Sequence, residues 1–156
     1  MKILFVCRAN VGRSQVAQAT FERLSRHESA SAGTTVDEEV AEDPNTRRPI
    51  TSWPITSRPI TSLKVKDRSQ HSLPYMQEHG IDIGERERTQ LTPELVAASD
   101  KVVVIMPHDE WPDYLAASDR TIAWDLPDPG DMTRDAAWRI FDDVRERVRA
   151  LVEEIG

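Results

Sequence analysis

The one cysteine of this 156-residue chain, Cys7, directly follows a short apolar run at residues 2–6, and Arg13 and Ser14 come six and seven positions later. A thiolate is a strong nucleophile, and an arginine can hold two oxygens of a tetrahedral oxyanion in its planar fork. A serine hydroxyl can donate a hydrogen bond to the sulfur. This combination of residue types suits phosphoryl transfer to sulfur.

The residues between the cysteine and the arginine predict a loop that binds an anion. A loop between a strand and a helix N-terminus can turn its backbone N–H groups inward. Ala9 and Gly12 leave this loop uncrowded, and Asn10 tolerates left-handed backbone angles and can hydrogen-bond within it. A single cysteine is otherwise often a small buried hydrophobe. The expected phosphate-binding residues are Arg8, Ala9, Asn10, Val11, Gly12, Arg13 and Ser14.

Phosphate-ester cleavage also needs a proton donor for the leaving oxygen, on another loop at the same edge of the sheet. The acid-rich segment WDLPDPGD follows the last short apolar run and carries Asp125, Asp128 and Asp131. By position alone, all three aspartates are candidates for the general acid.

The hydrophobic pattern predicts the elements that position these residues. Short apolar runs indicate strands at 2–6, 29–33, 101–106 and 121–124. Helical spacing indicates helices from about Arg13 to Arg26, from a Thr92 cap through Ala98, and over about the last 23 residues. Strands that alternate with helices predict an α/β fold with a parallel sheet.

Composition limits the class of protein. Hydrophobic residues make up 38% and charged residues 30%, which is typical of one globular domain, here residues 1–156. A net charge of −7 argues against broad nucleic-acid binding, and no apolar run approaches the roughly 18 residues of a membrane span. A single cysteine excludes an internal disulfide and a thiolate-rich zinc site. We expect a cytoplasmic monomer without membrane partner, cofactor or metal.

A repeat interrupts the pattern. Pro-Ile-Thr-Ser occurs at 49–52, 54–57 and 59–62. Prolines at this spacing prevent a helix or a central strand, so we predict a surface-loop insertion at about 44–70. Between Thr46 and Arg68 there are six basic residues and one acid, a local charge of +5. We consider three explanations of the insertion. It has no role, it arose by duplication, or it contributes to binding.

The segment CRANVGRS after an apolar strand, together with Asp128-Pro129, resembles the low-molecular-weight protein tyrosine phosphatase family, which also includes thiol-coupled arsenate reductases. The resemblance covers nearly the whole chain, including SAG, HGI, KVVVIM and the final helix. It implies a three-layer α/β/α fold with a four-stranded parallel sheet. It further implies the following roles: Cys7 as nucleophile, Arg13 as phosphate clamp, Ser14 as thiolate partner, Asn10 as loop stabiliser, and Asp128, among the three aspartates, as general acid.

Three features depart from the family pattern. Gly12 stands where many relatives carry a second cysteine, so Cys7 has no internal disulfide partner. Relatives often follow Asp-Pro with tyrosines that wall the substrate ring, whereas this chain continues Gly130-Asp131-Met132. The insertion falls in the loop that shapes the substrate entrance in this family. Trp53 can supply aromatic surface there, and the local positive charge can attract acidic phosphopeptides.

The expected function is hydrolysis of protein phosphotyrosine or another aryl phosphate through a cysteinyl-phosphate, with inorganic phosphate or a similar oxyanion held in the loop. One alternative is arsenate reduction with a small external thiol, because a disulfide relay needs further cysteines. A second is phosphoarginine hydrolysis, although family arginine phosphatases carry threonine where this chain has Val11. A third is a non-catalytic anion-binding module, which has no need of the complete catalytic set.

Overall fold

The computed structural model describes residues 1–40 and 64–156, without the side chains of residues 39 and 40. In these ranges the strands are β1 (Lys2–Cys7), β2 (Glu28–Gly33), β3 (Lys101–Val104) and β4 (Thr121–Ala123). The helices are α1 (Arg13–Leu24), α2 (Val36–Val40), α3 (Ser72–Glu78), α4 (Pro93–Ala97), α5 (Asp113–Ala116) and α6 (Arg134–Ile155). Two 3-10 turns span Val65–Asp67 and His108–Glu110.

The four strands form one parallel sheet in the order β2-β1-β3-β4. This arrangement confirms the predicted α/β fold. β1 pairs with a neighbour on each side, with Val6 opposite Ala32 of β2 and Val104 of β3. Because all strands run the same way, the loops after β1, β3 and β4 meet at one edge of the sheet, where α/β proteins bind ligands.

Alternate side chains of the central strands enter two separate cores. Ile3 and Phe5 pack on one side of the sheet with Phe21 of α1 and Phe141 of α6. Leu4 and its neighbours pack on the other side, against residues of α4 and α5. Apolar side chains on both faces explain why the strands are continuous apolar runs rather than alternating ones. The result is the expected three-layer arrangement.

The long C-terminal helix lies on the sheet through one apolar stripe, as its spacing predicts. Its buried residues are Ala137, Phe141, Val144, Val148 and Leu151. Thr133 caps its start, where the side chain accepts a hydrogen bond of 3.3 Å from the backbone N–H of Ala136. Thr92 caps α4 in the same way through Leu95 N–H, as predicted from Thr92-Pro93. Neither α6 nor any other helix of the described ranges is long and apolar enough to cross a membrane.

Several element boundaries differ from the predicted ones. α1 ends at Leu24 rather than Arg26, because Ser25 turns to an extended conformation while its N–H still bonds Phe21. β3 ends at Val104 rather than Met106, although the whole apolar run is buried. β1 continues one residue further than predicted and includes Cys7. The short helices α2, α3 and α5 were not predicted, since each is too short to show a helical period.

The three Pro-Ile-Thr-Ser repeats and Trp53 lie outside the described residues. The last part of the predicted insertion, residues 64–70, is described, and it is attached to the core rather than being only a surface loop. Val65 has no exposed surface, and its N–H donates to the carbonyl oxygen of Arg86 at 2.9 Å. Lys64 forms an isolated antiparallel bridge with Glu87.

Candidate active site

Cys7 is the last residue of the central strand, and its side chain is 2% exposed. Its Sγ lies 2.9 Å from the hydroxyl oxygen of Ser14, in the first turn of α1. The strand and the helix are joined by only five residues, 8–12, so the thiol and the helix N-terminus are held close together. The partial positive charge at a helix N-terminus favours negative charge at this position.

The hydrogen bonds around Ser14 determine where its proton points. Asn10 accepts a 2.9 Å hydrogen bond at Oδ1 from the backbone N–H of Thr89, so its Nδ2 faces Ser14 and donates to the hydroxyl oxygen at 2.7 Å. The Ser14 oxygen is therefore an acceptor towards Asn10. Its own proton is available to the sulfur of Cys7, which is the geometry that a thiolate requires.

Asn10 has a positive φ of 53°, the only such non-glycine residue in the described ranges. The backbone therefore takes a left-handed conformation in the middle of the loop, at a residue type that tolerates it. Gln15 donates to both the carbonyl oxygen and Oδ1 of Asn10, each at 3.2 Å. Asn10 is fully buried, so these bonds satisfy polar groups that water does not reach.

Six successive carbonyl oxygens, from Cys7 to Gly12, accept hydrogen bonds from the surrounding protein. The first two accept from the backbone N–H groups of Thr34 and Thr35, and that of Gly12 accepts from Val16 N–H within α1. The middle three accept from side chains. The pairs are Arg88 Nε to Ala9 O at 3.0 Å, Gln15 Nε2 to Asn10 O at 3.2 Å, and Ser72 Oγ to Val11 O at 2.7 Å.

These bonds orient the amides of the loop. In a trans peptide the C=O of one residue and the N–H of the next point in opposite directions, and no peptide bond of the described chain is cis. Because the carbonyl groups of residues 7–12 point outward, the N–H groups of residues 8–13 point to the inside of the loop. Within the described part of the chain, these N–H groups donate to no protein atom. An inward ring of amides at a helix N-terminus is an anion-binding nest.

Arg13 is buried at 3% exposure, and its Nη1 donates to the carbonyl oxygen of Leu126 at 2.8 Å. Leu126 belongs to the segment that follows β4, so this bond connects the Cys7 loop to the acidic loop. A guanidinium has five N–H donors, and one bond to Leu126 leaves the others for an oxyanion.

The three candidate aspartates are separated by the structure. Asp128 and Asp131 line a cavity whose wall also includes Arg8 and Ala9, and Asp125 is not part of this wall. Asp128 is exposed, and its Oδ1 accepts a 2.9 Å hydrogen bond from Gly130 N–H. This bond orients the carboxyl group and leaves its second oxygen without a protein partner in the described ranges.

A second, mostly apolar recess adjoins this cavity and shares Ala9 and Gly130 with it. Val11, Pro129 and Phe141 supply its apolar surface, and the polar part of its lining comes from Arg68, Gln70, His71 and Ser72. Gly12 opens into the same recess, where an added Cβ would lie 3.4 Å from Phe141, an ordinary contact distance. The recess is therefore apolar surface next to the anion loop, in a chain that lacks tyrosines after Asp128-Pro129.

Gly33 is a residue of the site that sequence analysis missed. A Cβ at this position would lie 2.6 Å from the carbonyl oxygen of Arg8 and 2.8 Å from the backbone N of Asn10. Only glycine lets β2 approach the loop so closely. Gln15, Ser72 and Arg88 were missed as well, because their partners are loop carbonyls supplied by the fold rather than by a sequence motif. In the described ranges, no group of three or more His, Cys, Asp or Glu residues is arranged to hold a metal ion.

The model of the family described as low molecular weight phosphotyrosine protein phosphatase matches residues 2–156. The chain therefore belongs to this family. No match is found among curated protein sequences.

Solved structures share the fold at low sequence identity. Wzb of Vibrio vulnificus, in complex with benzylphosphonate, superposes with a TM-score of 0.70 at 19% identity, over 98% of this chain and 97% of that one. A mutant of YwlE from Bacillus subtilis superposes with a TM-score of 0.66 at 21% identity, over 99% of this chain and 98% of that one. An arsenate reductase of Archaeoglobus fulgidus superposes with a TM-score of 0.63 at 20% identity, over 97% of this chain and 99% of that one.

Proposed function

We propose that this protein is a cysteine-dependent phosphatase that hydrolyses aryl phosphomonoesters, including protein phosphotyrosine, through a cysteinyl-phosphate. The observation that carries the proposal is the loop at residues 7–13, where Cys7 is bounded by amides that point inward and have no acceptor among the described residues. Such a loop is complementary to a tetrahedral anion directly in front of the sulfur. Membership in a phosphatase family supports hydrolysis as the reaction.

In the first step the thiolate of Cys7 attacks phosphorus, a sulfur–phosphorus bond forms, and the bond from phosphorus to the ester oxygen breaks. The loop amides and the guanidinium of Arg13 bind the three non-bridging oxygens. Electrostatic stabilisation by fixed donors of this kind is the main contribution that a protein can make to phosphoryl transfer. Ser14 donates to the sulfur, and this bond stabilises the thiolate before attack and again when it is released.

Asp128 is proposed as the general acid that protonates the leaving oxygen. In the second step its carboxylate takes a proton from water, the water oxygen attacks phosphorus, and inorganic phosphate and the Cys7 thiolate are released. The position of Asp128 in the wall of the cavity beside Arg8 and Ala9 supports this role. Asp131 lines the same wall and is the competing candidate, whereas Asp125 is outside it.

The proposed substrate class follows from the surroundings of the loop. Val11 is apolar, and the recess formed with Pro129 and Phe141 favours an aromatic leaving group over the guanidinium of phosphoarginine. The complex of Wzb with benzylphosphonate, an anion on an aromatic carrier, is consistent with such a substrate. We further propose that the protein acts as a monomer in the cytoplasm. The reducing conditions there keep its lone thiol reduced.

The test is metal-free hydrolysis of p-nitrophenyl phosphate and phenyl phosphate by the native protein and four variants. Cys7→Ser should abolish turnover. Asp128→Asn should slow phenyl phosphate by about 10²- to 10⁴-fold and p-nitrophenyl phosphate less, because p-nitrophenolate leaves without help from an acid. Asp125→Asn, an exposed aspartate of the same loop, is the matched control and should retain native turnover. Asp131→Asn tests the competing assignment.

Mass spectrometry of the acid-quenched native enzyme should detect phosphate on Cys7. If Asp131→Asn rather than Asp128→Asn slows phenyl phosphate much more than p-nitrophenyl phosphate, the acid role belongs to Asp131. A reduced native protein that hydrolyses neither ester contradicts the proposal. In that case arsenate-dependent oxidation of a small external thiol, or hydrolysis of a phosphoarginine peptide, identifies which alternative chemistry the loop performs.

A further inference from the structure

We propose that Gln15, Ser72 and Arg88 are positioning residues that hold the loop amides in the orientation needed to bind an oxyanion. This inference rests on the proposed function, because it assigns a role to residues behind the loop that Cys7 begins. Ser72 also lines the apolar recess, but its hydroxyl proton is directed to Val11 O and not to the substrate. The three side chains act on the outer side of the loop, through the successive carbonyl groups of Ala9, Asn10 and Val11.

Peptide geometry couples each carbonyl group of the loop to the N–H group that follows it. Rotating one peptide plane of the loop turns its C=O inward and its N–H outward at the same time. An inward carbonyl would present a negative partial charge to the anion and remove one donor. The main chain supplies partners for the carbonyl groups of Cys7, Arg8 and Gly12. The three carbonyl groups between Arg8 and Gly12 depend on side chains.

Ser72 has a defined proton direction. Its hydroxyl is 1% exposed and donates to Val11 O at 2.7 Å, so its only proton is committed to that bond. The neighbouring hydroxyl of Ser69 lies 2.8 Å away and must therefore donate to Ser72 rather than accept from it. Ser69 also accepts from Leu73 N–H at 2.9 Å. A directed chain of hydrogen bonds thus ends on the loop carbonyl.

Gln15 connects the loop to the thiol partner. Its Nε2 contacts the carbonyl oxygen and Oδ1 of Asn10, and through Asn10 it supports the bond that turns the Ser14 proton to Cys7. Gln15 is 1% exposed, so a non-polar replacement would leave buried groups without partners.

Arg88 adds charge as well as a hydrogen bond. Its side chain donates from Nε to Ala9 O, and the residue is 5% exposed. A hydrogen bond from a charged donor is stronger than one from a neutral donor, so Arg88 holds the Ala9 carbonyl group in place.

The experiment measures inorganic phosphate binding by titration calorimetry and inhibition of p-nitrophenyl phosphate hydrolysis by phosphate. Ser72→Ala is paired with Ser99→Ala, since Ser99 is equally buried and its hydroxyl donates to a backbone carbonyl, Leu95 O, at 2.8 Å, with no contact to the loop. Gln15→Met is paired with Gln18→Met, one turn further along α1, where the side chain bonds Ser31.

We expect Ser72→Ala and Gln15→Met to weaken phosphate binding by about tenfold, the effect of one lost hydrogen bond, and to lower kcat. The paired controls should change phosphate affinity by less than about twofold while losing comparable thermal stability. This separates positioning from general destabilisation. If Ser72→Ala does not fold, the Gln15 pair gives the answer alone.

Equal phosphate affinities for each variant and its control would overturn the proposal. The same holds if the native protein binds no phosphate. A native protein that binds phosphate but hydrolyses no ester would contradict the proposed function and leave this inference intact, provided that the variants bind phosphate more weakly than their controls.

Discussion

The guanidinium of Arg13 donates a 2.8 Å hydrogen bond to the main-chain carbonyl oxygen of Leu126, two residues before Asp128. Arg13 begins α1, and Leu126 follows the edge strand β4, so one buried side chain spans the two loops that carry the proposed nucleophile and acid. The distance between those loops is therefore set from inside the protein and not only by their own conformations.

Replacement of Arg13 by lysine tests this double role. A lysine ammonium keeps the charge but lacks the planar fork, so it cannot bond Leu126 O and two phosphate oxygens together. We expect kcat of Arg13→Lys to fall by about 10²- to 10³-fold. Arg120→Lys, at an arginine that donates to the carbonyl groups of Ala97 and Ser99, is the control and should retain native kcat. A loss below tenfold for Arg13→Lys would contradict the role.

Asn10 combines a positive φ with hydrogen bonds to Ser14 and Thr89, and two substitutions separate these contributions. Asn10→Ala loses both and should be the less stable variant. Asn10→Gly regains the backbone conformation, which is worth about 1–2 kcal/mol, but not the hydrogen bonds. The free energy of unfolding in urea should therefore be higher for Asn10→Gly than for Asn10→Ala. Turnover should be reduced to a similar extent in both variants. Native turnover in Asn10→Gly would show that the bond to Ser14 is dispensable.

Gly33→Ala should destabilise the protein by about 1–3 kcal/mol, because the new methyl group would overlap main-chain atoms that cannot rotate away. The nearest of these, Arg8 O, is 2.6 Å from the added Cβ. Gly12→Ala is the matched comparison, since its methyl group would meet side-chain atoms only, the nearest of them on Phe141 at 3.4 Å. The midpoint of thermal unfolding should be clearly lower for Gly33→Ala than for Gly12→Ala. Similar midpoints would mean that β2 and the loop separate easily.

Stability at alkaline pH should depend on Tyr75. Burial, and then the 2.6 Å hydrogen bond to Asp142, raise the pKa of Tyr75 well above its ordinary value of 10.0. The unfolded chain loses the phenolic proton from about pH 10, whereas the folded chain keeps it. The contribution of Tyr75 to stability is therefore complete below pH 10 and lost as the pH rises above that value.

Tyr75→Phe should cost about 1 kcal/mol at neutral pH through the lost hydrogen bond. The difference in unfolding free energy between native protein and variant should then narrow above pH 10. Tyr114→Phe is the comparison, since that hydroxyl lies 3.5 Å from its acceptor, Leu91 O, and should matter less at neutral pH. A difference that stays constant with pH would contradict the assigned cause.

The sequence predicted the sheet and the longer helices well, because continuous apolar runs and a 22-residue amphipathic stripe are local patterns. It also indicated Cys7, Arg13 and the aspartates after β4, because thiol, guanidinium and carboxyl groups have the reactivity that phosphoryl transfer requires. The choice among those aspartates came only from the family resemblance. The cavity wall retains Asp128 and Asp131 and leaves Asp125 outside.

The supporting residues were not predictable in the same way. Ser72 is 61 positions from Val11, and Arg88 is 79 positions from Ala9. Nothing in the local pattern of a serine at the start of a seven-residue helix indicates which carbonyl it will meet. Contacts of this kind arise when the sheet order brings distant segments together, so they become visible only in three dimensions.

The position of Cys7 within the sheet has a consequence for local unfolding. Its strand, β1, is hydrogen-bonded to a neighbouring strand on each side. Asp128, in contrast, follows β4, a three-residue strand at the edge of the described sheet. Amide hydrogens of β1 should exchange with solvent only when the whole domain opens, and those around Asp128 should exchange through small local fluctuations. We therefore expect the proposed nucleophile to lie in the slowest-exchanging part of the described protein and the proposed acid in one of the fastest. The sulfur should then be held in place, while the proposed acid moves to meet the leaving oxygen.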